Sequence, residues 1–156
     1  MQSKSFIISC WNVQGLRSSA FGLKSRTPDF TKELGDADVI VLQETWSRGD
    51  ISTGCPLGYR EIVFPSTKLK GVTQGRDSGG MLIWFKEKLV HSIELIKKGE
   101  FSIWLKIKRE VVAMDKDIFM YSIQHIYPHQ NHLIIVKIVS PFLKMRSIST
   151  RPREVY

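Results

Sequence analysis

The chain has 156 residues, of which 42% are hydrophobic and 24% charged. This composition excludes a disordered polar chain, and the length fits one domain. Lys and Arg outnumber Asp and Glu by 23 to 15, and the resulting net charge of +8 favours a polyanionic partner. No apolar run is long enough to span a membrane, the first ten residues do not resemble a signal peptide, and two cysteines make no disulfide framework. We therefore expect an intracellular protein, nuclear or cytoplasmic.

Short β-like runs separated by turn residues dominate the sequence. Strands are predicted at residues 5–11, 39–43, 59–64, 81–85, 89–96, 101–108, 118–123 and 133–139. A short helix is predicted at residues 28–34, because Thr27 can cap it, Pro28 suits its first position and Gly35 can end it. Many strands with little helix indicate a β-rich α/β layered domain.

The end of the sequence differs from the rest because it has no clear hydrophobic period. Residues 137–156 contain five basic residues and one acidic residue, which is half of the total net charge. We predict a domain over residues 1–136, followed by a basic and poorly ordered tail over residues 137–156.

Polar residues with ligand chemistry follow two of the predicted strands. The first strand leads into Asn12, and the apolar strand at residues 39–43 leads directly into Glu44. Ligand sites in layered α/β folds lie at the carboxyl ends of strands, and amide and carboxylate oxygens suit Mg²⁺. The same two residues are also consistent with a turn opened by Asn12 and a solvated strand end at Glu44.

Three segments, in this order, resemble the first blocks of the endonuclease/exonuclease/phosphatase superfamily. They are WNVQGL at residues 11–16, DVIVLQET at residues 38–45 and RDSGGMLI at residues 76–83. The resemblance covers roughly residues 5–128, and it is greatest to the endonuclease domains of non-LTR retrotransposons. It implies a four-layer α/β/β/α sandwich that cleaves phosphodiester or phosphomonoester bonds with a divalent metal, usually Mg²⁺.

The resemblance also implies roles for individual residues. Glu44 matches the family's metal-binding glutamate, and Asn12 matches the asparagine beside the metal and the scissile phosphate. Residues 78–80 match a turn that supports the site. Tyr127, in a shifted sequence context before Pro128, is the candidate counterpart of the family's active-site tyrosine.

The later blocks of the family do not occur in this sequence. There is no Gly-Asp-Phe-Asn turn and no Ser-Asp-His block, and no Asp follows Asp117. We therefore expect a partial four-layer α/β/β/α sandwich with its C-terminal half missing. Hydrolysis also needs a base that activates water, whose loss typically costs about 10²- to 10⁴-fold in rate. The resemblance thus predicts weak Mg²⁺ binding and a weak or inactive endonuclease, with DNA favoured over RNA as its partner.

Two alternative interpretations, from other functional classes, remain. The chain could be a non-catalytic basic module that binds nucleic acid through its loop and tail charges, or a retrotransposon remnant. The loop at residues 70–76 is rich in glycine but lacks the Gly-Lys-Ser/Thr ending of a P-loop, so we interpret it as a basic surface loop.

Histidines and tryptophans offer further candidate sites. His125, His129 and His132 would share one side of a helix and suit zinc, but Pro128 interrupts that span, and a polar loop is favoured. The tryptophans are interpreted as core or sheet-face residues rather than base-stacking platforms; they are Trp11, Trp46, Trp84 and Trp104.

Overall fold

A computed structural model describes most of the chain up to residue 123 and two later segments. The described residues are 6–18, 22–49, 52–67, 78–99, 102–112, 116–123, 135–138 and 144–148. Within these ranges no helix is long and apolar enough to cross a membrane.

Strands make up most of the regular structure. They are β1 (Ile7–Asn12), β2 (Arg17–Ser18), β3 (Gly22–Leu23), β4 (Val39–Gln43), β5 (Tyr59–Phe64), β6 (Met81–Lys86), β7 (Ile93–Lys98), β8 (Ser102–Ile107), β9 (Ile118–Ile123), β10 (Ile135–Ile138) and β11 (Lys144–Ile148). The α-helices are α1 (Pro28–Leu34) and α2 (Arg109–Val112), with 3-10 turns at Lys24–Arg26 and Glu87–Leu89. This arrangement confirms the predicted β-rich α/β fold class.

The strands form two larger sheets and a small ribbon. The first sheet has the order β11-β1-β4-β6-β5, in which β1 runs parallel to β4 and β11, whereas β6 runs antiparallel to β4 and β5. The second sheet is antiparallel and has the order β10-β9-β8-β7. Strands β2 and β3 pair separately.

The two sheets pack face to face through alternating apolar side chains. The buried residues of this interface are Ile8, Cys10, Val39, Val41, Met81, Ile83, Phe85, Leu89, Ile103, Leu105, Ile107, Ile118 and Met120. Side chains of strand β8 alternate between the two faces of its sheet, because Ile103 and Leu105 face the core while Trp104 between them is 39% exposed. Burial of this apolar surface is the main force that holds the sheets together.

Helix α1 covers the other face of the first sheet. Phe30 and Leu34 pack with Ile40 and Trp84 in a second buried cluster, so the described residues form a helix layer on two sheets. The helix has the predicted bounds, with Pro28 at its start and Gly35 at φ +60° after its end. Thr27 occupies the cap position, but its hydroxyl donates to the carbonyl of Lys24 at 2.8 Å instead of capping the helix.

Four strands differ from the sequence-based expectation, and two of them, the short β2 and β3, were not predicted. The strand expected at residues 89–96 begins at Ile93, because the preceding residues form a turn in which Leu89 is buried. Strand β11 lies within the segment expected to be a loose tail, and it pairs in parallel with β1. Its hydrogen-bond partner is far away in sequence, so no local period could indicate it.

Candidate active site at the ends of strands β1 and β4

Asn12 and Glu44 lie at the same end of two adjacent parallel strands. Asn12 is opposite Gln43 in the β1–β4 register, and Glu44 is the next residue. The backbone ladder continues beyond both strands, because Gly15 N donates to Glu44 O at 2.7 Å and Leu16 N donates to Thr45 O at 2.9 Å. The two segments singled out by sequence are thereby brought together at one edge of the sheet.

Asn12 forms a local turn at the end of β1. Its Oδ1 accepts a hydrogen bond from the backbone N of Gln14 at 3.1 Å, and Gln14 has a φ of +46°. The turn interpretation of Asn12 is therefore correct. It is compatible with a role in binding, since an asparagine amide also carries an NH₂ group that can donate to a phosphate oxygen.

Glu44 is buried, with 7% of its surface exposed, so the expectation of a solvated strand end is wrong. Its Oε2 accepts a hydrogen bond from the indole Nε1 of Trp46 at 2.9 Å. A buried carboxylate is costly unless it is hydrogen-bonded, paired or coordinated to a metal. The hydrogen bond from Trp46 meets part of this requirement and holds the carboxylate within the loop instead of in solvent.

The backbone around Glu44 is strained. Gln14, Glu44 and Trp46 are the only non-glycine residues with positive φ in the described part of the chain, and all three lie at this site. Such conformations cost of order 1–3 kcal/mol each and persist where surrounding contacts impose them. The strain is local to the two loops that follow β1 and β4.

Gly79 and Gly80 support the Glu44 loop from the side of β6. Trp46 N donates to Gly79 O at 2.8 Å, and Thr45 N donates to Gly80 O at 3.2 Å. Gly80 has a φ of +84°, and a Cβ there would lie 2.6 Å from Oγ1 of Thr45. A side chain at this position would therefore disturb the loop that carries Glu44.

Lys24 places a positive charge behind the Asn12 turn. Its Nζ donates to the carbonyls of Val13 at 2.9 Å and Gln14 at 3.3 Å, and burial lowers the pKa of its ammonium group. On the Glu44 side, a cleft of about 200 Å³ is lined in part by Gly15, Arg17 and Trp46. The site thus has an adjacent groove with a cationic residue in its wall.

The side-chain oxygens of Asn12 and Glu44 are of the kind that bind Mg²⁺, but within the described residues they do not form a complete cage. The described residues contain no group of three or more His, Cys, Asp or Glu side chains that could hold a metal. Mg²⁺ is commonly bound by one or two carboxylates, with water and substrate phosphate completing its coordination. Glu44, with Asn12 beside it, fits such a partly open site.

Several other predicted residues lie outside the described part of the chain. They are Tyr127, His125, His129, His132 and the basic loop at residues 70–76. Sequence reasoning also missed one contributor, since Trp46 was expected to be a core or sheet-face residue. The only available signal was its position two residues after Glu44.

Trp11, Trp84 and Trp104 match the expected core or sheet-face roles. Trp84 is fully buried, Trp11 stacks on Phe30 with ring centroids 4.5 Å apart, and Trp104 packs against Tyr121 on the outer face of the second sheet. Trp46 alone among the four tryptophans contacts the Glu44 carboxylate through a hydrogen bond in the described structure.

Comparison with known proteins gives one match. A sequence profile described as the endonuclease/exonuclease/phosphatase family matches residues 10–135, which include both Asn12 and Glu44. No curated protein and no solved structure matches the chain. The family comprises phosphodiesterase- and nuclease-like hydrolases, and the matched range covers well over half of the chain. This chain therefore belongs to the endonuclease/exonuclease/phosphatase family.

Proposed function

We propose that this protein is a Mg²⁺-dependent phosphodiesterase that acts on nucleic acid, with DNA favoured over RNA. The observation that carries the proposal is the placement of Asn12 and Glu44 at one edge of the first sheet, at the ends of adjacent parallel strands. The resemblance of the three sequence blocks to non-LTR retrotransposon endonucleases supports an endonuclease. Such a substrate would place the protein in the nucleus or the cytoplasm.

The two residues would have different roles. The Glu44 carboxylate would hold the metal, because a buried anionic oxygen ligand beside a cleft suits a hard cation. The Asn12 amide would donate to a phosphate oxygen and orient the scissile bond. A bound Mg²⁺ would supply neutralisation of the charge that develops on the phosphate. Tyr127 is retained as a third active-site candidate by resemblance alone.

The proposed activity is weak. With Glu44 as the one carboxylate assigned to it among the described residues, the site depends on substrate oxygens for remaining ligands, so Mg²⁺ alone should bind poorly. The sequence contains no counterpart of the family's Gly-Asp-Phe-Asn and Ser-Asp-His blocks, which supply residues that activate water and stabilise the leaving group. We expect little nicking of supercoiled DNA at ordinary enzyme concentrations.

A nicking assay tests the proposal. Supercoiled plasmid is incubated with a large excess of protein in Mg²⁺ or in EDTA, and the nicked fraction is followed over hours. Slow nicking that requires Mg²⁺ and is lost in Glu44→Ala and Asn12→Ala would support it. Glu94→Ala, which removes an exposed carboxylate on β7, should leave nicking unchanged. Nicking that persists in Glu44→Ala would contradict the assigned site.

A non-catalytic nucleic-acid-binding module is the second candidate function. The net charge of +8 and the incomplete ligand set of the described residues favour it. In that case the protein would bind DNA at low salt without any need for Mg²⁺, and no condition would give nicking. A protein that neither binds nor nicks DNA would fit a retrotransposon remnant.

A further inference from the structure

The contact between Trp46 and Glu44 joins two residues that are both in the left-handed backbone region. Their φ values are +52° and +53°, and the indole Nε1 donates to Glu44 Oε2 at 2.9 Å. An indole N–H can only donate, so it fits a carboxylate oxygen but has no role in binding a cation itself. The bond fixes one oxygen of a side chain that otherwise has three rotatable torsions.

Gly15 makes room for this tryptophan. A Cβ at Gly15 would overlap Cε3 of Trp46 and lie 2.7 Å from Cζ3. The backbone N of Gly15 also donates to the carbonyl of Glu44 at 2.7 Å. The loop after β1 therefore contacts both the backbone of Glu44 and the ring that holds its carboxylate.

The backbone of Trp46 is held on its other side as well. Its N donates to the carbonyl of Gly79 at 2.8 Å, at the entrance to β6. The indole thus has little freedom to move away from Glu44, because the β1 loop packs on its ring and the β6 entrance fixes its backbone. The ring also lines the cleft of about 200 Å³ beside the site.

From this geometry we infer that Trp46 is a positioning residue, which orients the Glu44 carboxylate for metal binding. The inference rests on the proposed function, in which Glu44 is a metal ligand. Hydrogen-bond partners of ligating carboxylates fix the orientation of the ligand, and their loss typically lowers metal affinity by about 10- to 100-fold. Trp46 itself contacts neither the metal nor the phosphate in this scheme.

Binding of Mn²⁺ alone is the test, measured by the paramagnetic resonance signal of the free ion. Trp46→Phe keeps an aromatic ring against Gly15 but removes the N–H, and it should weaken Mn²⁺ binding about tenfold. Trp104→Phe makes the same chemical change at the exposed outer face of β8 and should have no effect. Glu44→Gln should weaken binding more than either.

A double-mutant cycle separates positioning from general loosening of the loop. In a Glu44→Asp background the shortened carboxylate is out of reach of the indole, so Trp46→Phe should cause no further loss of affinity. Equal losses in both backgrounds would show that Trp46 acts through the fold and would overturn the inference. If Trp46→Phe does not fold, Gly15→Ala displaces the same ring, with Gly58→Ala as a control at a similar φ with open space around it.

The remaining outcomes distinguish the positioning role of Trp46 from the proposed metal site at Glu44. Unchanged binding in Trp46→Phe, together with loss in Glu44→Gln, would reject the positioning role and leave the proposed metal site intact. Unchanged binding in Glu44→Gln would reject the metal site, and the positioning role with it. Absence of Mn²⁺ binding by the wild type would do the same, provided that the protein and metal concentrations are high enough to detect the weak binding expected without substrate.

Discussion

The side chains of Gln43 and Ser122 connect the two sheets through a buried hydrogen bond. Gln43 Nε2 donates to Ser122 Oγ at 2.7 Å, and both residues lie in the otherwise apolar space between β4 and β9. Gln43 immediately precedes Glu44, so this bond fixes the end of the strand from which the candidate ligand emerges. A polar pair in an apolar interface also specifies how the sheets face each other, because any shift would leave a buried amide without that partner.

We expect Ser122→Ala to destabilise the fold by about 1–3 kcal/mol, because the Gln43 amide would lose its buried acceptor. Urea unfolding monitored by circular dichroism measures this difference. The coupled replacement Ser122→Ala with Gln43→Leu should cost less than the sum of the two single changes. Strict additivity of the two changes in unfolding free energy would mean that the Gln43–Ser122 hydrogen bond makes no specific contribution to stability.

Gly80→Ala should destabilise the protein more than Gly58→Ala. Both glycines have nearly the same backbone angle, with φ of +84° and +83°, so both changes incur about 1–2 kcal/mol of left-handed backbone strain. Only at Gly80 would the new Cβ meet neighbours, with Thr45 Oγ1 at 2.6 Å and Ser66 N at 3.1 Å. Overpacking of this kind adds about 1–3 kcal/mol.

Thermal and urea unfolding of the two alanine variants provide the comparison. Equal destabilisation would show that the Glu44 loop can move aside to accept a methyl group at Gly80. In that event the loop shifts more easily than its hydrogen bonds to Gly79 and Gly80 indicate.

Stability should fall at alkaline pH, in part because of Cys10. Burial raises the pKa of this thiol from 9.0 to about 12, so the folded state retains a proton that the unfolded chain releases. The contribution is fully present below pH 9 and is lost as the pH rises from 9 towards 12. Cys10→Ala should therefore lose less stability than the wild type between pH 8 and pH 10.5.

Urea unfolding at those two pH values measures the effect. Cys55 offers a comparison, because it is only partly buried and burial raises its pKa less, to about 11. Parallel pH profiles for the wild type and Cys10→Ala would show that the thiol ionises without unfolding.

Duplex DNA binding should be weak, with little sequence preference and with steep dependence on salt. Four to six phosphate contacts, at about −0.9 each, predict a slope of about −4 to −5 for log affinity against log salt. Deletion of residues 137–156 is a poor test because it would remove β11 from the first sheet. Replacing Arg151 and Arg153 by Gln instead should make the slope less negative, by the equivalent of up to about two phosphate contacts.

A fluorescence titration at two salt concentrations measures these slopes. An unchanged slope would show that the two arginines do not contribute to DNA binding. Absence of binding even at low salt would reject the interaction altogether.

Local sequence patterns were sufficient for much of the fold. Pro28 suits the first position of α1, and Gly35 adopts the positive φ that follows its last turn. The apolar run at residues 39–43 has the same bounds as strand β4. Strand β11 could not be predicted in the same way. Its ladder partner is β1, and parallel pairing between distant segments leaves no period in the short sequence KMRSI.

The candidate site was predictable in position but not in detail. Asn12 ends β1 and Glu44 directly follows β4, and parallel pairing of the two strands brings them to one edge. The buried Glu44 and its hydrogen-bond donor Trp46 both have positive φ angles, and their backbones are hydrogen-bonded to Gly15 and Gly79. Such strained conformations depend on tertiary contacts rather than on residue type, so sequence alone cannot indicate them.

The parallel pairing of β1 with β11 has a consequence for synthesis on the ribosome. Strand β1 leaves the exit tunnel long before β11, so one of its two neighbours is complete only when residue 148 has emerged. Until then β1 presents an open row of backbone donors and acceptors, which can pair with another chain. Folding of the first sheet is thus finished only after residue 148 has emerged, and nascent chains are exposed to misassociation during that interval.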